Sequence, residues 1–248
     1  MKNNRFERTE ALLGKQGLQK LKNAHIAIIG IGAVGGYAME ALARAGVGSL
    51  TLVDSDTVDI TNINRQIIAL SSTIGQDKIE AAKKRVLDIN PDCKVSTKKV
   101  FVNQDTIEDV FAKDTPDFVI DAIDSLNPKC CLMEYLYNQG ISFVSSMGAA
   151  LKTDPKFIKL GSLSSSKNCG LAKFIRKRLK KRGLELGKIT CVYSDEQTTL
   201  PESAIYQDDT SSSTTGRQRN TLGSLPTITA IFGLTMANHA IMHISSNP

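Results

Sequence analysis

The sequence predicts an α/β protein with a Rossmann-like, doubly wound and mostly parallel sheet, helices on both faces and a C-terminal extension. Two observations lead to this fold class. Short apolar segments alternate with helical patterns over residues 25–147, and a glycine-rich turn follows the first apolar segment. The chain has 248 residues, 41% hydrophobic and 23% charged, which is the composition of a globular protein and excludes fibrous and wholly disordered classes.

The elements of the first half follow in β-α-β order. A helix at residues 9–22 precedes a buried strand at 25–30. A helix at 75–89 stops before Pro91, because the residue preceding a proline is disfavoured in the α conformation. The other predicted elements are helices at 34–45, near 106–112 and at 128–138, and strands at 50–53, 95–102, 118–121 and 141–144.

Beyond Gly148 the pattern changes to two strand candidates, 157–163 and 188–193, which flank a basic helix at 171–183. The formal net charge is +6, and residues 167–188 hold nine basic residues against one acid. That segment therefore carries +8 and leaves −2 for the rest of the chain. Charge concentrated in this way predicts a surface that faces a polyanion.

Two further segments lie after the basic helix. Residues 197–219 are rich in Ser, Thr, Asp and Gln, which predicts a mobile loop over the site, because they are too polar to order by burial. The last apolar segment, 225–243, contains Pro226 and polar residues. This favours a buried helix that closes the core over membrane association through 225–242.

The cysteines indicate the compartment. Five of them are present without a C-x-x-C spacing, which argues against a structural zinc site and a thioredoxin-like couple. The odd count, together with a polar N-terminal segment that lacks a signal-peptide pattern, predicts reduced thiols and a cytoplasmic protein.

A glycine-rich turn predicts a nucleotide site. Gly30, Gly32 and Gly35 lie between a strand and a helix, where glycines let backbone N–H groups approach a phosphate. Asp54 follows the next strand, at a position where a carboxylate accepts hydrogen bonds from ribose hydroxyls; the alternative is an acid that only caps a turn.

Two cations separate the chain from dehydrogenases. Attack at an α-phosphorus needs positive charge, which Arg65 and Lys78 are placed to supply. Lys78 lies in the first turn of a helix, where the helix dipole disfavours a cation unless an anion is bound. A nicotinamide enzyme needs no such cations, so an NAD-dependent oxidoreductase is a remote alternative.

Two carboxylates follow the strand at 118–121. Asp121 and Asp124 lie at the carboxyl edge of the predicted sheet, where ligands of open α/β sheets bind. Asp124 is the candidate Mg²⁺ ligand, and Asp121 is equally compatible with a metal role and with a polar strand end.

Together these motifs resemble the adenylation domain of the ubiquitin-activating-type superfamily, which includes bacterial sulfur-carrier-activating enzymes. The resemblance covers about residues 5–150 and rests on residues 5–8, 30–35, Asp54, 61–66, 75–78 and 121–124. It implies ATP as substrate, Mg²⁺ at Asp124, and a homodimer in which Arg8 reaches the partner's nucleotide. A solvated Arg8 is the alternative.

The resemblance also implies the roles of individual residues. Arg65, Lys78 and Arg8 would be catalytic. The ATP-binding residues would be Gly30, Gly32, Gly35, Asp54, Asp56, Asn62, Asn64, Arg65, Gln66, Lys78 and Asp124.

The second half resembles one subfamily, the tRNA threonylcarbamoyladenosine dehydratases, in residues 145–155, 171–176 and 187–196. This implies an ATP-binding adenylation domain at 1–150 and a substrate- and tRNA-binding extension at 151–248 packed on the same core. The implied reaction is ATP-dependent cyclisation of threonylcarbamoyladenosine in tRNA, by adenylation of the threonine carboxylate and intramolecular ring closure. Residues 164–170 depart from the subfamily's usual sequence, which affects substrate positioning rather than the class.

Alternatives remain for the thiols and the substrate. Cys191 is interpreted as a buried strand residue rather than a sulfur relay. A sulfur-transfer protein partner stays open, as does a sulfur-carrier-protein adenylyltransferase, which would need no basic helix.

The basic helix supports a tRNA substrate on independent grounds. Its basic residues recur at three- and four-residue spacing, which predicts one charged face for phosphates. An ordinary solvated face is disfavoured, because no acids are interspersed. The predicted tRNA-binding residues are Lys173, Arg176, Lys177, Lys180 and Lys181, with Leu171, Phe174, Ile175 and Leu179 packed inward.

Overall fold

The computed structural model describes residues 4–112, 114–197 and 222–246. Its strands are β1 His25–Ile29, β2 Ser49–Val53, β3 Lys94–Lys98, β4 Phe118–Asp121, β5 Phe143–Ser146, β6 Ile158–Ser162 and β7 Thr190–Ser194. They form a seven-stranded sheet in the order β3-β2-β1-β4-β5-β7-β6. Every neighbouring pair is parallel except β6 and β7.

Helices cover both faces of this sheet. They are α1 Glu7–Asn23, α2 Gly35–Ala45, α3 Lys78–Ile89, α4 Ile107–Phe111, α5 Leu126–Gln139, α6 Gly170–Lys181 and α7 Pro226–Ser246. Helices α2, α3 and α7 pack on one face, and α4 and α5 pack on the other. Helix α6 packs against α5 beside β7. The predicted Rossmann-like, doubly wound, mostly parallel fold is confirmed.

The two halves of the chain share one sheet. Strand β7 pairs with β5 in parallel, with Ser145 opposite Cys191, and β6 then adds to the edge in antiparallel orientation. The backbone hydrogen bonding of the sheet therefore continues across the predicted division into 1–150 and 151–248. That division stays a prediction about the function of the two halves.

Several predicted boundaries differ by a few residues from those of the structure, and two of the differences have clear local reasons. Strand β3 ends at Lys98 rather than 102, because its partner β2 ends opposite it at Val53. Helix α3 begins at Lys78 rather than 75, because Gly75 adopts a left-handed conformation with φ of 81°.

The C-terminal helix closes the core as predicted. Helix α7 buries Ile228, Phe232, Met236 and Ala240 against α2 and the sheet. No helix in the described part of the chain is long and apolar enough to cross a membrane. Apart from Gln197, the predicted mobile loop at 197–219 lies outside the described residues.

Candidate nucleotide-binding site

The predicted site residues gather at one edge of the sheet. Strands β1, β2, β4 and β5 are parallel and end at the same edge. Gly30 and Asp54 directly follow β1 and β2, and Asp121 is the last residue of β4. Ligands of open α/β sheets bind at this edge, so the residues at these strand ends form a candidate site.

The glycine turn after β1 is too tight for side chains at two positions. Gly30 has φ of 92°, and its N–H donates to the carbonyl of Val53 over 2.8 Å. A Cβ at Gly30 would lie 2.9 Å from the Ala122 oxygen, and one at Gly35 would lie 1.8 Å from the Gly30 oxygen. Gly35 is also the first residue of α2, so the turn presents the start of this helix to the edge.

Asp54 holds the turn in place. Its carboxylate accepts hydrogen bonds from the backbone N–H groups of Ile31 over 2.6 Å and Asp56 over 2.9 Å. Burial raises the pKa of Asp54 above its ordinary value, although the charge of Lys78 and the two backbone hydrogen bonds oppose the rise. Each carboxylate oxygen accepts more than one hydrogen bond, so Asp54 retains capacity for a ribose hydroxyl.

Lys78 lies in the first turn of α3, as predicted, and is buried. Its Nζ is 2.8 Å from the Asp56 carboxylate, which is exposed, and its backbone N–H donates to the Asp56 carbonyl. The ammonium group is therefore directed towards the loop that begins at Asp54. A phosphate bound there would meet a cation that is already fixed in position.

Asn62 ends a short 3-10 turn in the same loop, and Asn64 and Arg65 follow it. Asn62 accepts a hydrogen bond from the Asp59 N–H and so helps to cap the turn. Arg65 donates from Nη1 to the Thr61 carbonyl over 2.9 Å and to the Asn64 side chain over 2.8 Å. These hydrogen bonds hold the guanidinium close to its own backbone.

Gln66 is the residue of this loop that points most clearly to a ligand. It is buried, and its Oε1 has no hydrogen-bond partner among the described residues. Its Nε2 would lie 4.0 Å from a Cβ placed on Gly32. A buried amide oxygen without a partner is costly, so a donor from a bound molecule beside the glycine turn would satisfy it.

Asp121 is a structural residue rather than a metal ligand. It is fully buried and pairs with the equally buried Lys129, whose Nζ lies 2.8 Å from its Oδ2. Ser145 donates to the same oxygen over 2.6 Å, and the Ile123 N–H donates to Oδ1 over 3.1 Å. Lys129 was not predicted from the sequence; the available signal was a lysine just before the apolar segment Cys130–Met133 of α5, eight residues after Asp121.

Asp124 is exposed and accepts a hydrogen bond from the Ser125 hydroxyl over 3.2 Å. Within the described residues, no cluster of three or more His, Cys, Asp or Glu side chains could hold a metal ion. A single carboxylate is nevertheless compatible with Mg²⁺ carried on nucleotide phosphates, because that ion commonly takes one or two protein carboxylates. The donor set therefore fits a magnesium nucleotide.

Arg8 lies away from this edge. Its neighbours Arg5 and Phe6 contact the far ends of two helices: Arg5 donates to the Ile89 carbonyl at the end of α3, and Phe6 lies against Gly46 at the end of α2. Both helices begin at the site edge and end at the opposite one. Arg8 is exposed there and does not join the other site residues of its own chain.

The basic helix α6 begins beside the site edge. Cys169 is the N-cap residue of α6. Its thiol accepts a hydrogen bond from the N–H of Gly148, in the segment after β5. Lys173, Lys177, Lys180 and Lys181 are exposed as predicted. Arg176 differs from them, because its guanidinium is half-buried and donates to the carbonyl and hydroxyl of Ser166.

One prediction about α6 is wrong. Ala172, Ile175 and Leu179 form the buried stripe, whereas Phe174, expected to pack inward, has 56% of its surface exposed. The physical reason is the angle between residues on a helix. Phe174 lies about 100° from Ile175 and about 200° from Ala172, so the face that meets α5 excludes it.

Comparison with known proteins places these features in context. The ThiF family model matches residues 6–248. The tRNA threonylcarbamoyladenosine dehydratase of Bacillus subtilis is 39% identical over 240 residues, which cover 96% of this chain and 94% of that protein.

A crystal structure of the Escherichia coli tRNA N6-threonylcarbamoyladenosine dehydratase in complex with ATP superposes with a TM-score of 0.86 at 35% identity. The match covers 98% of this chain and 94% of the other. An adenylyltransferase and sulfurtransferase of Saccharomyces cerevisiae is 30% identical over 156 residues, but these cover only 63% of this chain and 35% of that protein.

Proposed function

The chain belongs to the ThiF family, and from this premise we propose that it is an ATP-dependent tRNA threonylcarbamoyladenosine dehydratase. The observation that carries the proposal is the extent of the likeness. Relatives with this activity in their names match more than nine-tenths of both chains, and the match includes α6 and the strands of the second half. The sulfurtransferase relative covers only 63% of this chain, which disfavours a sulfur-carrier-protein substrate.

The reaction has two steps. The threonine carboxylate of the modified nucleoside attacks the α-phosphorus of ATP, a P–O bond breaks, and pyrophosphate leaves. The carbamoyl group of the same side chain then attacks the acyl carbon, and AMP leaves as the ring closes. The net change in the nucleoside is the loss of one water. Intramolecular attack has a high effective molarity, so no enzyme thiol is needed.

The residues at the sheet edge divide this work. The N–H groups of the glycine turn meet phosphate oxygens, and Asp54 accepts hydrogen bonds from the ribose. Lys78 and Arg65 stabilise the negative charge that develops around the α-phosphorus. Asp56 holds Lys78 in place by the ion pair, and the buried Gln66 amide oxygen accepts a hydrogen bond from the bound nucleotide.

Asp124 is our proposed Mg²⁺ ligand. The ion supplies charge neutralisation on the phosphates when it is bound. We expect Asp124→Ala to abolish turnover without loss of the fold, because this carboxylate is exposed rather than packed in the core. Near-normal turnover at saturating Mg²⁺, with an unchanged circular dichroism spectrum, would contradict the assignment.

A homodimer completes the proposal, because Arg8 is at the far edge from its own glycine turn. Ile60, Ile63, Leu70 and Ile74 are exposed apolar residues near the nucleotide loop, which supports a protein partner on that surface. If Arg8 acts in trans, mixing inactive Arg8→Ala and Lys78→Ala chains restores activity, because one site of each mixed dimer has both residues. No recovery after exchange of subunits would contradict a role in trans.

Two buried cysteines give no support to a sulfur-transfer partner. Burial raises the pKa of Cys191 to about 12 and that of Cys93 to about 11, and only the thiolate attacks sulfur. All five cysteines are free, and the cytoplasm remains our proposed location.

The direct test uses purified protein, ATP, Mg²⁺ and tRNA that carries threonylcarbamoyladenosine. Mass spectrometry of the digested nucleosides should show loss of one water from that nucleoside, with equal amounts of AMP and pyrophosphate formed. Replacement of ATP by a non-hydrolysable α,β-methylene analogue is the control. Release of AMP without any change in the nucleoside would contradict the proposal.

A further inference from the structure

An exposed aromatic ring lies among the lysines of α6. Phe174 has 56% of its surface exposed, although large apolar side chains favour burial. Lys177 and Lys181 follow it by three and seven residues and share its helix face, and both are exposed. An aromatic ring flanked by cations is the combination that binds single-stranded nucleic acid, through base stacking and phosphate contacts.

The space around the ring is open on the side of the site. Gly170 precedes Phe174 by four residues on the same face, and a Cβ placed on Gly170 would meet no atom within 4 Å. Long side chains on a helix lean towards its N-terminus, so the ring is directed towards the first turn of α6. That turn begins next to Gly148 at the nucleotide edge.

The contacts between α5 and α6 place this turn beyond the start of α5. Arg178 donates to Asn127, and Arg182, one turn later, pairs with Glu134. The two helices therefore run in the same direction, and residues before Arg178 extend past the N-terminal end of α5. Asn127 is three residues after Asp124, so Phe174 lies on the side where the reacting nucleoside must approach ATP.

We propose that Phe174, Lys177 and Lys181 form a subsite for an unpaired nucleobase of the RNA substrate. The base stacks on the ring, and the two ammonium groups contact the phosphates on either side of it. The subsite rests on the proposed tRNA function and adds to it that the enzyme holds a loop nucleotide through its base as well as through phosphates. Loop nucleotides are accessible to such contacts because they are unpaired.

The test compares two RNAs with the full-length protein. One is a synthetic anticodon stem–loop with 2-aminopurine in the loop, and the other is a fully paired duplex with the same number of phosphates. Phe174→Leu should weaken stem–loop binding by about five-fold or more, since stacking contributes at least that much per base. It should leave duplex binding unchanged. Phe174→Tyr and Phe174→Trp should keep stem–loop binding and the quenching of 2-aminopurine.

The salt dependence separates stacking from charge. Phe174→Leu should lower stem–loop affinity equally at every salt concentration, because no phosphate contact is lost, whereas Lys177→Gln should reduce the slope. Leu12→Ala, which alters an exposed apolar residue of α1, is the matched control and should change neither affinity.

Three outcomes would overturn the subsite. They are unchanged stem–loop binding by Phe174→Leu, an equal loss with both RNAs, and a change in the sedimentation of the RNA-free protein without a loss of RNA binding. The last result would assign Phe174 to a protein contact. Failure of the proposed function is separate, because it would appear as wild-type protein that binds the stem–loop but does not cyclise the nucleoside.

Discussion

At the scale of the residue, Asp121 and Lys129 form an ion pair inside the protein. Both side chains are fully buried, and the pair supports the turn from which Asp124 follows. Removal of one partner leaves an uncompensated charge in the interior. We expect Lys129→Met to lower the free energy of unfolding by about 3–5 kcal/mol.

Urea denaturation would measure this loss. The matched control is Lys99→Met, which breaks the partly exposed ion pair with Asp77 and should cost less than about 1 kcal/mol. Equal losses in the free energy of unfolding would mean that the buried pair contributes no more to stability than the exposed one.

A second prediction at this scale concerns the chemical step. Lys78→Met and Arg65→Ala should lower kcat about 100-fold, because these charges matter most when negative charge moves at phosphorus. The KM for ATP should change less. Lys84→Met, on the exposed side of α3, is the control for loss of a lysine from the same helix. A variant with a raised KM and a normal kcat would identify a ground-state contact instead.

At the scale of the element, Glu40 joins two helices on one face of the sheet. Its carboxylate lies on α2 and pairs with Arg85 on α3 and with Arg44 one turn away. Burial alone would raise the pKa of Glu40, but hydrogen bonds from Arg85 and Arg44 outweigh it and hold the pKa below its ordinary value. The two ion pairs of Glu40 therefore stabilise the fold at pH values above its unfolded-state pKa. This contribution is lost as the pH falls through the folded-state pKa.

Glu40→Gln should lower the free energy of unfolding by about 1–3 kcal/mol at neutral pH. The difference from wild type should shrink as the pH falls through the depressed folded-state pKa of Glu40, where the wild-type carboxylate becomes protonated. Thermal unfolding across a pH series would measure it. Glu185→Gln, which removes an exposed pair with Lys188, is the control. A difference that is constant with pH would mean that the charge of Glu40 does not contribute.

The basic helix α6 is tested as a unit. Changing Lys173, Lys177 and Lys180 to Gln should weaken tRNA binding and flatten its salt dependence, because each phosphate contact contributes a slope of about −0.7 to −0.9. ATP binding should be unchanged. Filter binding across a salt series would measure the slope, with Lys15, Lys22 and Lys84 changed to Gln as the charge-matched control. An unchanged slope would identify a solvated surface.

At the scale of the whole molecule, the alternation of elements predicts the fold well. Gly30, Asp54 and Asp121 meet at one edge because each of them ends or follows a parallel strand, and a sequence shows that order directly. The burial of Lys129 was missed and the exposure of Phe174 was predicted wrongly, because burial on a helix depends on which helix packs beside it. The order β5-β7-β6 was also absent from the pattern, because strand pairing is set by contacts between distant segments.

The shared sheet predicts the behaviour of a fragment. A chain limited to residues 1–150 would expose the edge of β5, which β7 covers in the full chain, and would lack α7 over α2. Open strand edges pair with other chains, so the fragment should aggregate or remain unfolded. Size-exclusion chromatography and circular dichroism would show this against the full chain. A monomeric, folded fragment that binds ATP would mean that the first half is an independent domain.

The pairing of β5 with β7 also delays completion of the sheet during synthesis of the chain. Residues 147–189 must emerge from the ribosome before the edge of β5 has its partner, which takes on the order of seconds at about 5–20 residues per second. The side of the core that faces α2 waits longer still, until residues 226–246 have been made. The nascent chain therefore contains every residue of the nucleotide edge before the last strand and the covering helix of its sheet exist, and chaperones have that interval in which to act.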